Sequence, residues 1–206
     1  MTEREFLRDF IESKCVERRE QHEALPGKVP GHWYTWLLQL RRALYNPVSL
    51  HAVVGILAPM ILKDLKGRKV QLCGLESGAV PIVTALMMEM TAQGLNVPVF
   101  TVRKHRKEYG LLNWHEGIID PDREVVLVDE LCHSGWSMKL CYEFCQRQGL
   151  KVAEHAYAII AKVDAGADNI ASDPYIPKYI TVHSIFNLTD INLTLSGKPV
   201  EAKPEM

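Results

Sequence analysis

The chain has 206 residues, enough to bury one sizeable core, and its 24 basic residues against 25 acidic ones leave a net charge of −1. That balance excludes the broad basic footprint of a nucleic-acid binder, so anion recognition has to come from local charge. Five cysteines, an odd number with no C-x-x-C pair, predict reduced thiols in a cytoplasmic setting, with Cys73 and Cys141 as core residues.

The first residues are charged rather than apolar, unlike a secretory signal. Residues 2–22 predict an amphipathic helix with Phe6, Phe10 and Ile11 on one side, broken by Pro26, Gly27, Pro30 and Gly31. Residues 32–44 carry Trp33, Tyr34 and Trp36, a density that suits packing or a dimer surface. A long apolar helix follows Pro47, capped at Ser49 and ending near Gly67. Its apolar run, 48–62, contains His51 and is too short to span a bilayer.

From residue 69 the pattern becomes strand, turn, helix. Residues 70–74 predict a strand, 75–78 a tight turn, and 79–92 a helix in which Met87, Met88 and Met90 fill core gaps. Further strands are predicted at 97–102, 125–128, 152–160 and 179–185, with a long polar segment at 103–120 and a helix at 138–148 whose inner face is Leu140, Cys141, Phe144 and Cys145. Residues 198–206 read as a polar tail. Short β runs alternating with helices predict an α/β fold, a doubly wound, mostly parallel sheet of about five strands. Ligands of such sheets sit beyond the carboxyl ends of the strands, where Glu76-Ser77-Gly78, Arg103-Lys104 and Asp129-Glu130 all fall. The three turns are therefore expected to converge on one crevice. The chain is expected to form a single domain, with a helical N-terminal part or hood over 1–66, a ligand-binding core over 67–186 and a C-terminal segment over 187–206.

The chemistry is densest at Asp129 to Ser137. Two adjacent carboxylates at the end of a buried strand repel each other and lose solvation, so they call for a cation or hydrogen-bond donors. A Mg²⁺ ion or sugar hydroxyls would meet that need. The turn behind them, His133, Ser134, Gly135, Trp136 and Ser137, ends at a helix N-terminus, which favours an anion. A phosphorylated sugar satisfies both requirements at once. The turn around Gly78, after a strand and before a helix, suits a second anion cradle. Arg103, Lys104, Arg106 and Lys107 crowd the end of another strand, where a departing anion would find its charge neutralised.

Val125-Val126-Leu127-Val128-Asp129-Glu130, continued through Ser137, resembles the phosphoribosyl pyrophosphate (PRPP) signature of the type I phosphoribosyltransferases, with His133 and Trp136 standing at substituted positions. Gly74 to Pro81 is similar to the pyrophosphate loop of the orotate branch, and Arg103, Lys104 and Lys107 match its mobile catalytic loop, with Tyr109 where that branch usually has His. The resemblance implies a Mg²⁺-dependent transferase joining a nucleobase-like acceptor to PRPP with release of pyrophosphate, acting as a homodimer because the loop closes over a neighbouring copy's site. It implies that Ser134, Gly135, Trp136 and Ser137, with His133 beside them, hold the 5′-phosphate, and that Glu76, Ser77 and Gly78 line the pyrophosphate. It further implies that Asp129 and Glu130 meet the ribose and, indirectly, the metal, while Arg103, Lys104 and Lys107 close over the site. Lys28 and Lys162 are what the chain offers at the base-binding positions. Orotate itself as acceptor is left open, and a non-catalytic PRPP- or nucleotide-binding regulator is the alternative reading.

Overall fold

A computed structural model of the protein describes residues 1–20, 24–26, 33–105, 113–133, 135–161 and 176–193. Thr2 starts the first helix, α1 (Glu3–Phe10), through a capping box: its hydroxyl accepts from the Glu5 amide, and its own amide donates to the Glu5 carboxylate at 2.7 Å. The helix is shorter than the expected 2–22. It runs into a π-helical turn (Ile11–Cys15) and then β1 (Val16–Arg18), because antiparallel pairing of β1 with β4 satisfies the backbone there while Ile11 and Cys15 stay fully buried. β2 (Leu25–Pro26) pairs with β3 (Trp33–Tyr34), and β4 (Trp36–Leu38) leads to the short α2 (Arg41–Leu44). The N-terminal part is thus helices plus two small antiparallel sheets, not helical throughout.

α3 (Pro47–Asp64) is capped by Asn46 rather than Ser49: the Asn46 side chain accepts from the amides of Val48 and Ser49 at 3.1 Å each, with Pro47 in the first turn. Ser49 is buried instead, its hydroxyl donating to the Ala43 carbonyl at 2.7 Å. At 18 residues and a mean hydropathy of 1.3, α3 is long and apolar enough to cross a membrane, contrary to the expectation from its shorter apolar run. Ala52, Val53, Leu57, Ala58 and Ile61 nevertheless pack into the protein core, the behaviour of a central helix.

The chain then builds β5 (Val70–Leu75), α4 (Val80–Ala92), β6 (Val99–Val102), β7 (His115–Gly117), β8 (Glu124–Cys132), α5 (Trp136–Arg147), β9 (His155–Ala161), β10 (Thr181–Asn187) and a 3₁₀ turn (Leu188–Ile191). Six strands form one sheet in the order β10-β9-β8-β5-β6-β7, all parallel except β7, which lies antiparallel on β6. β7 is the strand the sequence did not reveal, since His115, Glu116 and Gly117 carry no apolar alternation. Gly117 is required there: its φ is 98°, and a Cβ would meet the Phe100 backbone at 3.0 Å.

Side chains alternate across the sheet as a pleated backbone demands. Val70, Leu72, Val126, Val128, Tyr157 and Ile159 face α3 and α4, whereas Cys73, Leu75, Val125, Leu127, Ala156 and Ala158 face α5. All five cysteines are buried. Of the α4 methionines Met90 is core, but Met88 is 65% exposed and fills nothing. β5 leads through α4 to β6 on one side, β8 through α5 to β9 on the other. The strand order therefore reverses between β5 and β8, the place where open α/β sheets leave a crevice.

Candidate active site

The acidic pair lies inside β8, not in a turn after it. β8 continues to Cys132 because its far edge keeps pairing with β9, Asp129 opposite Ala158 and Leu131 opposite Ile160. Its pairing with β5 stops at Cys73↔Leu127, so the acids stand beside the crevice. Consecutive strand residues point to opposite faces. Asp129 points towards α5, among Leu127, Ser137, Met138 and Cys141, and Glu130 towards the α2 and α4 side.

Asp129 is 7% exposed. Its Oδ1 accepts from the Glu130 amide at 2.8 Å, and the Ser137 hydroxyl bonds to the same carboxylate. Burial first, and the neighbouring Glu130 charge second, push its pKa up to about 7. Burial also raises that of Glu130, against the opposing charges of Arg41 and Lys104. Glu130 Oε2 is buried with no hydrogen-bond partner among the described residues, and Oε1 lies 3.9 Å from Arg41 Nε. Burial and mutual repulsion thus outweigh the donors and charges around the pair, and among the described residues Glu130 Oε2 is left without a donor.

The turn after β5 closes onto these acids. A Cβ on Gly78 would collide with the Glu130 carboxylate, and one on Gly74 would collide with Ala79 and come within 2.9 Å of the Val128 carbonyl; Gly74 is dictated by close approach to β8, and Gly78 leaves the Glu130 carboxylate its place. Glu76 donates its amide to the Val102 carbonyl at 2.8 Å. Its carboxylate accepts from Arg103 Nη1 at 3.1 Å, and Arg103 Nη2 reaches Glu116 on β7. Arg103 is therefore a cross-strand strut between three elements. Lys104 is exposed and close enough for its charge to act on both Asp129 and Glu130.

On the other side α5 begins at Gly135, whose φ of 66° only glycine adopts freely, with no side-chain cap and no acid in its first turn. Nothing on these residues discourages an anion at that N-terminus. Trp136 is 45% exposed and lies under Lys139, whose Nζ is 4.9 Å from the ring centroid. His133, partly buried, precedes the turn. Ser137 differs from expectation, since its hydroxyl is turned to Asp129 and only its backbone is left for a phosphate. Ser134, Lys107, Lys28 and Lys162, and Tyr109 with them, lie outside the described residues.

Glu76, Gly78, Arg103, Lys104, Asp129 and Glu130 thus meet at one crevice from three strand ends. Sequence reasoning missed Arg41, which carries no local signal: it opens a four-residue helix and gains its role only when α2 is set against the end of β8. Glu116, which with Gly117 resembles the end of the mobile catalytic loop, gains its contact with Arg103 only once β7 is paired.

No family model matches the chain. Among solved structures, a phosphoribosyltransferase from Corynebacterium diphtheriae superposes with a TM-score of 0.72 at 20% identity, over 94% of this chain and 100% of that one. Orotate phosphoribosyltransferase of Mycobacterium tuberculosis in complex with PRPP superposes at 0.67 and 20% identity, over 93% and 99%. The chain has the fold of the type I phosphoribosyltransferases. Among curated proteins it is 25% identical over 174 residues to orotate phosphoribosyltransferase of Pyrococcus abyssi, covering 83% of this chain and 87% of that protein. With the enzyme of the same name from Methanocaldococcus jannaschii the identity is 28% over 144 residues, 69% and 76% of the two chains. Both of these curated proteins bear the name orotate phosphoribosyltransferase, so the chain is similar to that branch in sequence as well as in fold.

Proposed function

We propose that the protein transfers a 5-phosphoribosyl group from PRPP to a nucleobase-like acceptor with release of pyrophosphate, the reaction type of its orotate phosphoribosyltransferase relatives, with Mg²⁺ as cofactor. The observation that supports this most is the packing of Gly78 against Glu130. It sets a turn suited to one anion beside two buried acids, with a helix N-terminus suited to a second anion beyond them, the order of groups in a phosphorylated sugar pyrophosphate.

In this reading the first-turn backbone of α5 from Gly135 to Ser137, with Ser134 and His133 beside it, holds the 5′-phosphate. Asp129 and Glu130 take the ribose hydroxyls and stabilise the positive charge that develops as the glycosidic bond breaks. Glu76, Ser77 and Gly78 line the pyrophosphate, and Lys104 and Lys107 neutralise it as it leaves. Arg103 acts from the fixed position that Glu76 and Glu116 give it. The partnerless Glu130 oxygen and the raised carboxyl pKa values fit a cation, so Asp129 and Glu130 would hold Mg²⁺ indirectly, through PRPP or water. When bound, the ion supplies charge neutralisation to the pyrophosphate oxygens. A homodimer belongs to the same reading, as does base contact through Lys28 and Lys162.

Pyrophosphate release from PRPP and Mg²⁺ is the direct test, with orotate first and then a panel of purines, pyrimidines and pyridine carboxylates. Turnover with one acceptor is expected. No turnover together with no calorimetric PRPP binding by folded protein at millimolar ligand overturns the proposal. Binding without turnover across the panel transfers the chain to the regulatory reading.

A further inference from the structure

A second cluster of ligand-type side chains lies at the other end of the sheet. His155 is the first residue of β9, seven residues long, so it stands about 20 Å from the carboxyl end where the crevice opens. His183, on β10, is in register with Tyr157, two positions beyond His155, and the two imidazoles project from the same face as diagonal neighbours. Asp64, the last residue of α3, comes down onto them from the layer above.

The geometry is close. His155 Nδ1 lies 2.8 Å from His183 Nε2, Asp64 Oδ2 lies 3.9 Å from that same Nε2, and the three ligand atoms are all within 4.8 Å of one another. Tyr157 fixes two of the three: its hydroxyl donates to Asp64 Oδ2 at 3.0 Å, and its ring stacks on His183 with centroids 5.3 Å apart at 22°. Such outer support is what orients the ligands of a metal centre. The side chains are 24–29% exposed, open enough for an ion to enter. A carboxylate in the last turn of a helix meets the unfavourable end of the helix dipole, so Asp64 is a poor choice for α3 alone and gains from a cation beyond it.

We propose that Asp64, His155 and His183 bind one divalent transition-metal ion of the zinc class, clamping the end of α3 to β9 and β10. Two imidazole nitrogens and one carboxylate oxygen suit zinc and its neighbours rather than Mg²⁺, and three protein ligands leave a fourth position to water. At 2.8 Å the two rings share one N–H proton. Ligands held at about 2.1 Å in a tetrahedron stand roughly 3.4 Å apart, so binding parts the rings by about half an ångström and shifts that proton to the outer nitrogen of its own imidazole.

The test is calorimetric titration of the chelator-treated full chain with ZnCl₂, without PRPP, joined to zinc-edge X-ray absorption. One Zn²⁺ per chain is expected, with a shell of nitrogen and oxygen only, and at least tenfold weaker binding in His183→Asn and in His155→Gln. His155→Gln changes a partly exposed strand-end residue, so it carries the test should His183→Asn fail to fold. No zinc binding by the folded chain, sulfur in the shell from captured cysteines, or affinity unchanged in His155→Gln overturns the site.

Discussion

Asp129→Asn should make the protein more stable above neutral pH while removing its ability to bind PRPP. Asp129 is 7% exposed, and its pKa rises from an ordinary 3.8 to about 7 through burial and the Glu130 charge. Between those values the folded state keeps a proton that the unfolded chain has released, so stability falls as pH rises and the full deficit stands above about pH 7. At about 1.4 kcal/mol per pH over roughly three pH, that deficit is about 4 kcal/mol. Asparagine has the same shape and still offers an oxygen to the Glu130 amide and the Ser137 hydroxyl. Its NH₂ group needs a new acceptor, which costs about 1 kcal/mol. A net gain of about 3 kcal/mol remains at pH 8, or roughly 6–12 °C in Tm for a chain of this size. Scanning calorimetry of both proteins at pH 4.5 and pH 8 should show that gain at pH 8 and little of it at pH 4.5. A gap independent of pH, or a variant less stable at pH 8, would refute the reasoning.

Lys104→Ala should lower turnover by about 10²–10³ while leaving PRPP affinity nearly intact, because the lost cation acts on charge that develops only as pyrophosphate leaves; unchanged turnover in a pyrophosphate-release assay would reject the loop assignment. Gly78→Ala should leave Tm within a few degrees, since the colliding group is the movable end of Glu130, yet weaken calorimetric PRPP binding at least tenfold by displacing that carboxylate. Arg68→Met should cost about 1–3 kcal/mol at pH 7, because Glu124, 19% exposed, loses its guanidinium partner. Glu154, held down to about 2 by Arg68 but half exposed, adds little. Both carboxylates are depressed in the folded state, so the stabilisation is present above their unfolded values and fades as pH falls towards 2; urea titrations at pH 7 and pH 2.5 should show the gap closing.

The parallel core was legible because the apolar run at 125–128 leaves no polar face for solvent and short β runs alternate with helices on either side of it, and the glycines at 74 and 78 announced close backbone approach. What stayed hidden depended on partners distant in the chain. β1 continues from a helical segment because β4 is there to pair with it, and β7 has no apolar pattern of its own. Asp129 and Glu130 looked like turn residues because β propensity ends at Val128, yet β9 carries the strand four residues further. Tertiary pairing overrides propensity in each case. The same cause hid Arg41, and it hid the Asp64, His155 and His183 cluster, whose members come from one helix end and two strands.

The reach of β8 past its pairing with β5 also explains why the crevice carries the charge it does. From Val128 onward one edge of β8 remains bonded to β9 while its register with β5 has ended, so its open edge is available to a ligand. The pleat then assigns the two acids different work: Asp129 is drawn into the α5 layer beside Ser137, and Glu130 is set against Gly78 and within reach of Arg41. A slip of one residue in the β8–β9 register would exchange those faces. It would place the longer side chain in the tight space by Cys141 and the shorter one too far from Gly78 to meet it. Register, set by the apolar residues Val125 to Val128 that bury on alternate faces, is therefore what aims the carboxylates, and the core and the site are specified by the same stretch of chain.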